Sequence, residues 1–371
     1  MRRRGLLSLL VSGLLVFGLT ACGAAEAASK DGTELYTEKG FSKDLSAEEV
    51  IRYSSEKDKI GNQGLGTEYE LYALLTKYDL ENKYVAMGFD MDQLDNDEIY
   101  LATGMTYNEL GIIRNSYEGG YNYGDSIKWI DMNDEGTAML EDNIFTTKSF
   151  AEENPNTVKA FLYASTKGWE YACQNPEEAA EIVAKYGSTI SAEHQKYMAE
   201  EVKKLVETDT KGNKVTDYGH IDNDALQQTL DLSQKYIKLE DPDAADKLSK
   251  LTIADIADSS FIDEVSKSTD GKFGTPEKKD VSVQVKWLPQ SQFMGYYVAL
   301  EKGFYDEVGL NVEVIPGGGD VNETTAVNSG NVDFGVTWTS TLISANAGGM
   351  DLVEVAQIYQ RSGLVLMYKT Y

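Results

Sequence analysis

Val281-Ser282-Val283-Gln284-Val285-Lys286-Trp287 runs through Leu288-Pro289-Gln290-Ser291-Gln292 into Phe293-Met294-Gly295-Tyr296-Tyr297-Val298-Ala299-Leu300. Valine at every second position predicts a strand that ends at Trp287. Phe293, Tyr296, Tyr297, Leu300 and Phe304 then recur at helical spacing, and Gly309 marks the stop. Strand, polar turn and helix make one β/α unit, and the rhythm continues to the last residue. A strand is expected over 311–315, a turn at Gly317-Gly318-Gly319, and a helix opened by Asp320 with Glu323 three residues on. Strands over 332–338, 352–358 and 363–368 follow, with a helix over 340–347 between the first two.

Upstream, a second β/α block alternates strands over 59–63, 84–89, 99–105 and 128–132 with helices over 68–78, 92–97 and 107–117. Between the blocks the chain reads as helical. Asn154-Pro155 and Asn175-Pro176 are helix starts with proline in the first turn. Val158, Phe161, Leu162, Ser165 and Trp169 form one packing stripe, and further helices fit 192–206 and 223–238. The polar Gly/Pro/Lys run 269–279 is a linker. The segment 99–107 resembles 332–338, each a buried strand ending in threonine plus an aromatic residue before a helix.

The N-terminus carries a different message. Arg2, Arg3 and Arg4 precede an uncharged apolar stretch, short for a spanning helix, that ends in Leu19-Thr20-Ala21-Cys22-Gly23. This resembles a bacterial lipobox, which implies a signal peptide over 1–21 and a diacylated Cys22. The small polar residues after it predict a flexible stalk over 22–44. Cys173 then has no disulfide partner and reads as a buried small hydrophobe. The net charge of −27 becomes −30 without the three leader arginines. Such a surface repels nucleic acid and excludes it as a partner.

Family likeness enters at the residues quoted first. The run 285–300 with Lys302-Gly303-Phe304-Tyr305 resembles the opening of the ABC-type solute-binding proteins for thiamine pyrimidine precursors and riboflavin, and more distantly for taurine and alkanesulfonates. The segments 327–336, Gly88-Phe89-Asp90-Met91-Asp92, Met105-Thr106-Tyr107-Asn108-Glu109 and Asn133-Asp134-Glu135-Gly136 are similar to later motifs of that family. The resemblance implies a two-lobed, type II periplasmic-binding-protein clamp of α/β class. It implies a small heterocyclic ligand, an ABC permease as partner, a lipid-tethered monomer outside the cytoplasmic membrane, and no cofactor. Its order is unusual, because the family's opening third stands here at 281–371. A circular permutation joined through 269–279 is expected, with lobe two over 45–135 and lobe one over 136–371. Strand 363–368 then belongs with 281–287, the new ends fall at the hinge, and Tyr371 lies near 45–60. A truncated tandem copy is the competing reading.

In open α/β sheets ligands bind beyond the carboxyl ends of strands. Five junctions qualify here, and they nominate Trp287, Gln292, Tyr296, Gly318, Trp338, Thr339, Glu68, Tyr107 and Asn108 as ligand-binding residues. Each aromatic is equally readable as core, and Glu68 and Asn108 as plain helix-start residues. Trp129 and Trp169 read as packing. His194 and His220 lack metal-ligand spacing partners, and no nucleophile motif stands outside the anchor. Binding without catalysis is therefore expected. The alternatives are an enzyme like the thiamine-pyrimidine synthases, whose cysteine-rich motif is missing, and a ligand-sensing or adhesive surface lipoprotein.

Overall fold

The computed structural model describes residues 35–371; Cys22 and the leader lie outside them. The strands are β1 (Tyr36–Thr37), β2 (Gly40–Phe41), β3 (Ile60–Asn62), β4 (Val85–Ala86), β5 (Leu101–Met105) and β6 (Ile127–Asp131), then β7 (Asn143–Thr147), β8 (Asp280–Gln284), β9 (Asn311–Ile315), β10 (Phe334–Thr337), β11 (Leu352–Gln357) and β12 (Leu364–Lys369). They form two five-stranded sheets, β4-β3-β5-β12-β6 and β11-β7-β10-β8-β9, beside a small β1-β2 hairpin. The chain is a two-lobed α/β clamp.

Both lobes follow one plan. Three parallel strands lie with the first in the middle, β4-β3-β5 in one and β9-β8-β10 in the other. Each sheet is then completed by an antiparallel strand delivered from the opposite lobe: β12 enters between β5 and β6, and β7 between β10 and β11. Because connections leave the first strand to either side, each sheet has a switch point at the carboxyl end of that strand. Both switch points face the space between the lobes.

Several expectations need correction. Strand β12 belongs to lobe two, not to the lobe of 281–287. Its six residues are all buried, so it has no in–out alternation to reveal its sheet. Residues 35–41 are not stalk. Tyr36 and Phe41 are buried against Tyr53, Tyr100 and Tyr368, with ring centroids 3.8–6.3 Å apart. Strand β7 lies where no strand was expected. Asn322, not Asp320, caps the helix Glu323–Asn328 by accepting from the Thr325 N–H at 2.7 Å. Trp129 is 41% exposed, with the Arg114 guanidinium 5.1 Å over its ring, whereas Trp169 and Cys173 are buried.

Most of the core belongs to one apolar cluster that runs through both lobes. The long helix Pro155–Gln174 packs on Met294–Glu301 so closely that Gly168 and Gly295 leave no room for a Cβ. A lobe so tightly fixed holds its strand ends rigidly.

Candidate ligand-binding cleft

The loops at the two switch points enclose a cavity of about 540 Å³. Lobe one contributes Lys286 and Trp287 after β8, Gly318 to Glu323 after β9, and Trp338 after β10. Lobe two contributes Gln63 to Tyr69 after β3, Phe89 after β4, and Tyr107 to Glu109 after β5. Trp287, Gln292, Gly318, Trp338, Glu68, Tyr107 and Asn108 all line it. Tyr296 and Thr339 do not. Tyr296 is fully buried edge-on to Trp169, and Thr339 is tied to Asn143, Glu354 and Gln357 behind the wall.

The two cleft tryptophans differ in what they offer. Trp287 stands between Phe89 of lobe two, ring centroids 5.3 Å apart at 53°, and Gly319, whose added Cβ would sit 3.7 Å from it. Trp338 is already occupied: the Lys286 ammonium lies 4.8 Å from its ring centroid, and Gly66 of lobe two packs on its edge. With φ +107, and a Cβ only 3.1 Å from Trp338, position 66 suits glycine alone. Gly317 is required for a different reason. A Cβ there would strike the Val285 carbonyl at 2.2 Å, so this glycine serves backbone packing.

Polar groups on the floor are held in fixed orientation. The Gln290 amide donates to Gln292 Oε1 at 2.6 Å, and Gln292 Nε2 donates to Asp142 at 2.8 Å. Burial pushes the Asp142 carboxyl up to about 7. Gln292, the Lys286 ammonium and the Trp338 indole pull the other way; that indole falls short of full hydrogen-bond geometry. Asn108 donates to Glu109 at 2.9 Å, which leaves its carbonyl oxygen for the cavity. Glu68 accepts from the Gly66 N–H at 2.8 Å with one oxygen. Lys286 has Glu323 at 3.4 Å, a long contact for an ammonium with three donors.

Two segments, 136–142 and 358–363, carry the described chain between the sheets, and a group of buried carboxyls joins them. Ser362 Oγ lies 2.8 Å from Glu141 Oε1 and within 3.1 Å of both Glu70 oxygens, and it accepts from the Leu364 N–H at 3.0 Å. A hydroxyl has one proton to give. It can donate fully to one carboxylate only, and a proton on the other carboxyl, donated to Oγ, would complete the group. Burial raises Glu70 and carries Glu141 to about 8; the Glu141 charge raises Glu70 further, and the Asp142 charge raises Glu141. Both effects favour a proton on the hinge carboxyls. Sequence reading missed Lys286, Phe89 and all three hinge acids, Glu70, Glu141 and Asp142.

The family model described as NMT1/THI5 like matches residues 59–179 and 290–370, more than half of the chain. No curated protein matches. Among solved structures, the peptide binding protein AppA from Clostridium difficile is 10% identical with a TM-score of 0.28. That alignment covers 75% of this chain and only about half, 53%, of the AppA chain. The chain belongs to the NMT1/THI5-like family.

Proposed function

We propose that the protein captures a flat nitrogen heterocycle, a thiamine pyrimidine precursor or riboflavin, in the interlobe cleft and delivers it unchanged to an ABC-type permease. The observation that carries this reading is the open aromatic surface of Trp287 beside fixed hydrogen-bonding groups in one cavity. Its volume suits a small organic ligand. Asn108 and Glu68 present acceptors suited to an exocyclic amine, and Lys286 a donor suited to a ring oxygen. Tethering through Cys22 would keep the clamp beside its permease, and Cys22→Ala should then release it from membranes.

The test is a thermal-shift screen against heterocyclic vitamins, sulfonates and amino acids, followed by recovery and mass analysis of any stabilising compound. Stabilisation by a heterocycle that is recovered intact is expected. Recovery of a changed compound would favour an enzyme, and a screen without a hit would defeat the heterocycle reading.

A further inference from the structure

Large apolar side chains left exposed among the described residues are few, and four of them meet at the cleft mouth. Leu65 is 52% exposed, Phe89 51%, Leu288 48% and Val321 39%. Leu65, Phe89 and Val321 are cavity walls, and Leu288 reaches to 3.8 Å from where a Cβ on Gly318 would be. They come from four different strand-end loops, two in each lobe. Leu65 also holds a left-handed backbone, φ +60, where glycine or asparagine would be relaxed. An exposed apolar surface of this kind marks a binding site when it is contiguous. Below it the floor is polar, made by Lys286, Gln290, Gln292, Asn108 and Glu323. The cleft therefore carries its exposed apolar side chains at the rim, beside Asp320 and Asn322, and buried polar groups below them, beside Met105 and Tyr107.

We infer that the ligand is bipartite, with a planar polar head on the floor and a second apolar or aromatic part packed against the rim side chains Leu65, Phe89, Leu288 and Val321. This rests on the heterocycle reading and narrows it to molecules larger than one ring. A partner protein seated on the rim is the rival occupant. Against it, three of the four side chains face the cavity, and the Phe89 ring already crosses to Trp287 of the other lobe.

The experiment is calorimetric titration of the protein and its Phe89→Ala variant with three probes. These are 4-amino-5-hydroxymethyl-2-methylpyrimidine, thiamine, which adds a second ring to that pyrimidine, and riboflavin, which has fused rings. At least one larger probe should bind tenfold or more tightly than the single ring. Phe89→Ala should cost the larger probe at least tenfold more affinity than it costs the single ring. Phe89 is half exposed, so an unchanged unliganded Tm will confirm that the variant folds. If the single ring binds as tightly as both larger probes, or if Phe89→Ala weakens all three alike, the bipartite ligand is wrong and the heterocycle reading stands. Unchanged affinities with lost permease-dependent uptake would make the rim a docking surface and overturn the inference. If none of the three binds, the heterocycle reading fails and takes this one with it.

Discussion

Trp287 closes the run of residues that begins with β8, and its half-buried ring lines the cleft against Phe89 of the other lobe. Replacing it by alanine should weaken heterocycle binding by about 1–3 kcal/mol, from lost apolar contact plus stacking. Unliganded Tm should fall much less, since the ring is only half buried and packs at the margin of the core. A large drop in Tm with unchanged affinity would place Trp287 in the core instead. The same reasoning gives Trp338 a different part. A ligand approaching it meets the Lys286 ammonium first, so its ring orients the lysine as much as it offers a stack. Strand-end position brought seven of the nine nominated residues to the cavity wall, because a switch point fixes where the first residues after each strand must be. It failed at Tyr296 and Thr339, where helix phase turns the side chain inward to Trp169 and to β7 and β11. Phe89 carried the family likeness but no reason to be a wall residue, since β4 before it is two residues long.

At the scale of elements, the two interlobe segments behave as a titratable joint. Glu70 comes from the helix Thr67–Lys77, Glu141 from one crossing and Ser362 from the other, so their hydrogen bonds tie both crossings to lobe two. Around them stand Asp142, Asp131 paired with Arg361 at 3.0 Å, and the phenols of Tyr107 and Tyr359. The folded carboxyl pKa values lie above the unfolded ones. Between the usual carboxylate range near 4.3 and about 8, the folded state thus binds more protons than the unfolded chain. This contribution is complete below the unfolded pKa and is lost as pH rises through the folded one, by up to about 1.4 kcal/mol per pH unit for each carboxyl. Tm should therefore fall from pH 5 to pH 8, and Glu141→Gln, which keeps the hydrogen bonds without the charge, should flatten that fall. Equal slopes in the two proteins would remove Glu141 from the account. None of this was legible beforehand, because Glu141-Asp142 reads as a polar surface pair until β7 is known to follow it. Asn143-Ile144-Phe145-Thr146-Thr147 is too short and too polar at its ends to stand out between helical segments, yet it sits near the middle of its sheet.

Over the whole molecule, the order of segments is the feature that sequence alone raised and the architecture makes testable. A circular permutation would bring residue 371 beside the first of the described residues. Thr370 bridges to Phe41, the Tyr371 N–H donates to the Phe41 carbonyl at 3.1 Å, and Phe41 pairs with Tyr36 across the hairpin. The meeting place is not the hinge, as expected from the sequence, but the edge of lobe two beside the helix Ala47–Glu56. Both crossings survive, so a rearrangement of this kind leaves the hinge as tightly tethered as before. The likeness of the lobes supports the same reading: β8-β9-β10 and β3-β4-β5 repeat one parallel unit, and each block occurs once. At the other junction, segment 269–279 is held by Glu277, whose carboxylate accepts from the Thr157 N–H at 2.9 Å and the Asn156 amide at 2.7 Å, and by Lys278, which pairs with Asp333 at 2.6 Å. Opening the chain between Gly271 and Lys272, ahead of these contacts, cuts a loop and no strand. A rearranged chain that joins Tyr371 to residue 35 through a short Gly/Ser linker and begins at Lys272 should therefore fold cooperatively. Its Tm should lie within a few degrees of the parent, because it keeps every core contact and exchanges one surface connection for another. It should also respond to the same ligands in a thermal-shift titration. If it fails to unfold cooperatively, or loses ligand stabilisation with its fold intact, the present order is a requirement of the structure, and a truncated tandem copy becomes the better account of these segments.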